Sequence, residues 1–70
     1  PAYNQLTNRE RQVLKLLAEG KTTKEIGFIL NVSGKTVETH RLNIRDKLGI
    51  DSLAELTKFA IREGLTTLDP

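Results

Sequence analysis

The 70-residue chain contains no cysteine, no methionine and no tryptophan, and only one histidine. Without cysteine there is no disulfide framework and no thiolate metal site. One histidine cannot build a zinc site, so neither a structural metal nor any other cofactor is expected. No apolar run approaches the roughly 20 residues that cross a bilayer. No secretory signal pattern is present, and no membrane partner is expected. With no methionine anywhere, Pro1 is not read as an initiator; the simplest expectation is a piece of a longer protein, or a processed chain. Excess charge is scarce as well, at a net of +2. A chain this short makes one small domain, which must draw its stability from helix packing, alone or with a partner.

What charge there is lies unevenly. Residues 21–47 hold six cations, Lys21, Lys24, Lys35, Arg41, Arg45 and Lys47, against three carboxylates, a local balance of +3. That bias fits phosphate contact, and it fits ordinary solvation equally well.

The punctuation predicts an all-α fold. Four N-cap residues are visible, Thr7, Thr22, Ser33 and Ser52, and three open a capping box with Glu10, Glu25 and Glu55. Four stops follow, Gly20, Asn31, Gly49 and Gly64, each able to take a left-handed conformation. The expected helices span about 8–19, 23–30, 34–48 and 53–63, within one domain over 6–65 flanked by flexible ends at 1–5 and 66–70. No segment alternates with period two, so no sheet is expected. The core is read from spacing: Leu6, Val13, Leu14, Leu17 and Ala18 around helix 1; Ile26, Ile29, Leu30 and Val32 around helix 2; Val37, Ile44 and Leu48 from helix 3; Leu56, Phe59, Ala60 and Leu65 around helix 4.

Helix 3 carries the functional signal. Val37, Ile44 and Leu48 form a narrow core stripe, while Lys35, Glu38, Thr39, Leu42 and Asn43 fall on the opposite arc. A leucine, a threonine, an asparagine and a carboxylate side by side are groups that can touch base edges in a major groove. With helix 2 and the tight turn ahead of it, helix 3 completes a helix-turn-helix within a four-helix bundle.

The same residues resemble a known family. Leu6-Thr7-x-Arg9-Glu10-x-x-Val13-Leu14-x-Leu16-Leu17-Ala18-x-Gly20, then Thr23-Lys24-Glu25-Ile26, then Ser33-x-Lys35-Thr36-Val37-x-x-His40-x-x-x-Ile44-x-x-Lys47-Leu48-Gly49 follow its signature. The chain is similar to the LuxR-type (GerE-like) helix-turn-helix domain found at the C-terminus of NarL/FixJ response regulators and in quorum-sensing regulators. The match covers about residues 6–65. The resemblance implies a DNA-binding transcription-regulator domain that dimerises through helix 4 and sits behind a regulatory domain, often a phosphorylatable receiver. It implies a cytoplasmic protein of a two-component system, with RNA polymerase as a further candidate partner. Two positions depart from the pattern. Gly27 stands where alanine is usual, costing about 1 kcal/mol of helix propensity while letting helix 3 approach closely. Phe28 stands where polar residues are usual, and is either a lone exposed apolar residue or a contact with the missing domain.

The family's base-touching positions fall on Glu38, Thr39 and Leu42. Thr39 and Leu42 suit thymine methyls. Glu38 can accept from a cytosine amino group, repel phosphate, or pair with Arg41 or Arg45; Asn43 ranks below these three. Candidate phosphate contacts are Lys24, Lys35, Thr36, His40, Arg45 and Lys47, with Lys35 and Thr36 favoured by the positive end of helix 3. Glu10 is accounted for by its capping box and Arg9 by a surface ion pair. Leu53, Ala54, Thr57, Lys58 and Ile61 make up the candidate dimer surface, unless helix 4 is instead embraced by two other helices. His40 has no nucleophile or metal-ligand cluster to work with, so an enzyme is not expected. The rival class is a protein-docking module using Phe28 and helix 4.

Overall fold

The computed structural model describes residues 2–66. A short 3-10 turn, Ala2–Gln5, leads into α1 (Asn8–Ala18), α2 (Thr23–Leu30), α3 (Gly34–Leu48) and α4 (Leu53–Arg62). Among the described residues there is no strand. The helices fall where the caps placed them, α1 and α4 ending one residue earlier. The turn at Ala2–Gln5 lies against α3 within the segment expected to be a flexible end. Four residues show no periodicity to read, and buried Leu6 anchors the chain just after them. Residues 67–70, most of the other expected flexible end, lie outside the described residues.

The caps explain the boundaries. Thr7 Oγ1 accepts from the Glu10 N–H at 3.1 Å, and Glu10 Oε1 accepts from the Thr7 N–H at 2.8 Å. Thr22 and Glu25 repeat the pair with the same distances. Ser52 accepts from the Glu55 N–H at 3.1 Å, but Glu55 returns no bond, so the third expected box is only half formed. Its φ of −108°, against −70° and −78° at the two threonines, turns the Ser52 N–H differently. At the other ends, the Lys21, Val32 and Leu65 N–H groups reach back to the Leu16, Gly27 and Ala60 carbonyls, six-residue Schellman closures. Asn31 takes the left-handed conformation (φ 58°) that joins α2 to α3, the only non-glycine among the described residues to do so.

α1 is the central helix, packed against α2, α3 and α4. Its Val13, Leu14 and Leu17 meet Ile26 of α2, Val37 and Ile44 of α3, and Leu56 and Ala60 of α4 in one buried cluster with Leu6. Ala18, Leu30, Val32, Leu48, Phe59 and Leu65 pack around it half-buried, joined by Leu16 and Ile50, which the core stripes had not included. Ile29 is a correction: it is 51% exposed. The buried face of α2 is centred between Ile26 and Gly27, because the backbone of the turn closes directly onto Gly27. A Cβ there would stand 2.7 Å from the Val32 carbonyl oxygen. Rolling α2 to bury Gly27 carries Ile29 out of the core.

One buried charge ties α1 to α3. Glu10 is 3% exposed, and its Oε1 accepts from Lys47 Nζ at 2.7 Å as well as from the Thr7 N–H. Burial pushes the carboxyl up; the Lys47 hydrogen bond and the Thr7 N–H pull it down harder, so it titrates below its ordinary value. The depressed value means this stability is present above the unfolded carboxylate pKa and is lost as pH falls through the folded one.

Replacing Lys47 with Met should therefore cost about 1.5–3 kcal/mol near neutral pH. The gap from wild type in urea unfolding should narrow as pH falls below the ordinary glutamate range and through the depressed folded-state value; an unchanged gap at low pH would reduce Lys47 to a packing role. Gly27→Val should destabilise by about 1–3 kcal/mol through forced opening of the turn, read as a lower Tm. A rise in Tm would mean helix propensity outweighs the contact with Val32.

Candidate nucleic-acid interface

α3 turns two residue sets in opposite directions. Val37 and Ile44 are fully buried, while Lys35, Thr39 and Asn43 are exposed. Leu42 and Glu38, which share the outward arc by helical spacing, are half-buried rather than free. The five residues still form one continuous surface on the side of α3 away from its core stripe.

Internal bonds fix what that surface presents. Thr39 Oγ1 donates to the Lys35 carbonyl at 3.1 Å, so its hydroxyl is turned back into the helix and its methyl is the group left to make outward contact. Arg41 Nε donates to both oxygens of Glu38, at 3.2 and 3.1 Å, and Nη2 donates to Oε1. The Arg41 hydrogen bond holds the Glu38 carboxyl below its ordinary pKa, and the same bond raises that of Arg41. Arg45 pairs with its neighbour Asp46 at 3.2 Å. Lys47 is engaged with Glu10 on the α1 side. His40 is half-buried and makes no hydrogen bond among the described residues.

The start of α3 differs from the other three. The first turns of α1, α2 and α4 each hold a carboxylate, Glu10, Glu25 or Glu55; that of α3 holds none. Ser33 Oγ accepts from the Thr36 N–H at 3.0 Å and donates to Thr36 Oγ1 at 2.9 Å. The Thr36 hydroxyl proton and the N–H groups of Gly34 and Lys35 remain as donors at the positive end of the helix dipole. Lys24, near the start of α2, shares an open hollow with Gly34, so the two helix starts border one surface. Glu25 is less available there: the Thr22 N–H and hydroxyl hold its carboxyl below its ordinary pKa.

Elsewhere, among the described residues α4 packs against α1 and against no second helix. Leu53 is 57% exposed, Ala54 and Lys58 are exposed, and Thr57 and Ile61 are half-buried. Phe28 is 87% exposed. Among the described residues no group of three or more His, Asp or Glu could hold a metal ion, and no helix is long and apolar enough to cross a membrane. Sequence reasoning missed the Glu10–Lys47 pair, whose members lie 37 positions apart. It weighed the Glu38–Arg41 pair only as one of several roles for Glu38, although their spacing of three signals it.

Residues 4–60 match the family described as bacterial regulatory proteins, luxR family. The chain is 58% identical over 65 residues to the uncharacterized response regulatory protein YgeK of Escherichia coli K12, covering 93% of this chain and 44% of that protein. It is 44% identical over 63 residues to the transcriptional regulatory protein LiaR of Bacillus subtilis strain 168, covering 90% and 30%. To the transcriptional regulatory protein FixJ of Azorhizobium caulinodans it is 41% identical over 64 residues, covering 91% and 30%. The chain thus spans less than half the length of each of these relatives. Four helices with a tight α2–α3 turn and a match running through nearly all of them make this chain a helix-turn-helix DNA-binding domain of the luxR family of bacterial regulatory proteins.

Proposed function

We propose that this domain binds double-stranded DNA sequence-specifically as the output module of a bacterial response regulator, with α3 in the major groove. The observation that carries the reading is the start of α3, free of carboxylate and rich in donors, joined to an outward face of Lys35, Thr39, Leu42 and Asn43. Phosphates seat at the starts of α2 and α3 through Lys24, Lys35, Thr36 and backbone N–H groups. The Thr39 methyl and Leu42 contact thymine methyls, and Glu38 accepts from a base amino group. His40 and Arg45 are secondary phosphate contacts. Lys47 is left out, because its ammonium is held by Glu10.

The one-sided packing of α4 supports a two-fold dimer through Leu53, Ala54, Thr57, Lys58 and Ile61. A regulatory domain ahead of this one, and a cytoplasmic setting, fit relatives that are more than twice as long and bear regulator names. A second reading, docking on a protein such as that regulatory domain or RNA polymerase, is favoured by one observation: Phe28 beside Ile29 forms an exposed apolar patch on α2.

Selection from a random duplex library at near-physiological salt tests the main reading. An enriched paired motif supports it; salt-insensitive or absent duplex binding by the folded chain favours docking. Lys35→Ala should weaken binding to all sequences and lower the slope of log K against log salt by about one. Leu42→Ala should instead relax preference at one position, by about 1–3 kcal/mol; the same uniform loss in both variants would break this division of roles. Leu53→Asp should convert paired-site binding into half-site binding in gel-shift titrations, with the fold intact by circular dichroism. Paired-site binding that survives Leu53→Asp would move the dimer contact elsewhere.

A further inference from the structure

Glu38 poses an electrostatic problem at this surface. A bare carboxylate one turn into a groove-reading helix would face the phosphates it has to pass. Its partner changes that. Arg41 lies three residues on, and its Nε donates to both carboxylate oxygens at 3.2 and 3.1 Å while Nη2 donates to Oε1. Oε1 thus takes two donors and Oε2 one, so Oε2 keeps an open lone pair. The two side chains retain 43% and 36% of their exposure, so the pair is reachable from outside. A planar guanidinium held against both oxygens fixes the carboxylate plane, which an ammonium does not do.

We propose that Arg41 is a positioning residue for base recognition: it neutralises Glu38 and orients Oε2 to accept from the exocyclic amine of a cytosine. This rests on the DNA-reading role proposed for α3. Cytosine is the base selected because its major-groove amino donor is flanked on its own ring by the apolar C5–H rather than by an acceptor. Adenine sets N7 beside its amino group, and guanine and thymine present carbonyl oxygens there. Each of those would meet a carboxylate with a second negative edge. The Glu38–Arg41 pair therefore reads as one neutral unit and adds little to the salt dependence that Lys35 and the helix starts provide.

The test is a double-mutant cycle on the chain, with wild type, Glu38→Gln, Arg41→Gln, Arg41→Lys and Glu38→Gln/Arg41→Gln each bound to the duplex pool selected by wild type. Thermal unfolding confirms that each variant is folded. The quantity read is discrimination between cytosine and the other bases at one half-site position. Arg41→Gln and Glu38→Gln should each lower it roughly tenfold, at the same position. Arg41→Gln should change it less than about twofold once Glu38 is already Gln. Arg41→Lys, keeping charge without the fork, should remain flattened. Arg41→Gln lowering affinity for every duplex with discrimination intact would make Arg41 a phosphate contact and overturn the proposal, as would full restoration by Arg41→Lys or an unaltered motif with Glu38→Gln. A wild type that enriches no motif would overturn the DNA-reading role itself, and this inference with it.

Discussion

One carboxylate oxygen holds two ends of this fold together. Glu10 Oε1 accepts from the Thr7 N–H, closing the start of α1, and from Lys47 Nζ, gripping the last turn of α3. A buried carboxylate is costly unless it is paired and hydrogen-bonded, so α3 is held at the rotation that brings Lys47 to it. That rotation puts Val37 and Ile44 into the core and leaves Lys35, Thr39 and Asn43 facing out. The orientation of the outward face is a consequence of what happens on the other side of the helix.

The second constraint is steric. Gly27 lets the Val32 carbonyl approach to a distance that a Cβ would obstruct, and Asn31 takes the left-handed step that starts the turn. Together they fix how α2 lies across α3 and bring Lys24 to the hollow beside the first residue of α3. The same roll of α2 leaves Phe28 and Ile29 outside the core. The exposed apolar patch and the close turn are two results of one packing choice.

These constraints also sort the basic bias of the 21–47 segment. Arg41, Arg45 and Lys47 are each occupied by a carboxylate, Glu38, Asp46 and Glu10. Lys21, Lys24 and Lys35 make no ion pair among the described residues, and they lie at or just before the starts of α2 and α3, where unpaired N–H groups already favour an anion. The positive character with no carboxylate partner is therefore concentrated at two helix starts rather than spread along α3. Formal charge counted along the chain does not reveal that distribution.

The sequence by itself determined the helices, because each boundary is a local event. Thr7, Thr22, Ser33 and Ser52 cap the residues beside them, and Gly20, Asn31, Gly49 and Gly64 stop each helix through their own φ. Period 3.6 likewise marked most of the core and the outward arc of α3. The sequence also carried the family signature. Only the tertiary structure decided the rest, because those outcomes depend on contacts between residues far apart in the chain. Lys47 faces Glu10 across 37 positions. Ile29 is displaced by the fit of Gly27 against the turn, which no hydrophobic pattern encodes. α4 keeps an open apolar side because, among the described residues, α1 is the one helix it packs against. Glu38 shows the boundary between the two: its spacing from Arg41 was legible, but that it pairs with Arg41 rather than Arg45 was decided by side-chain geometry in the folded helix.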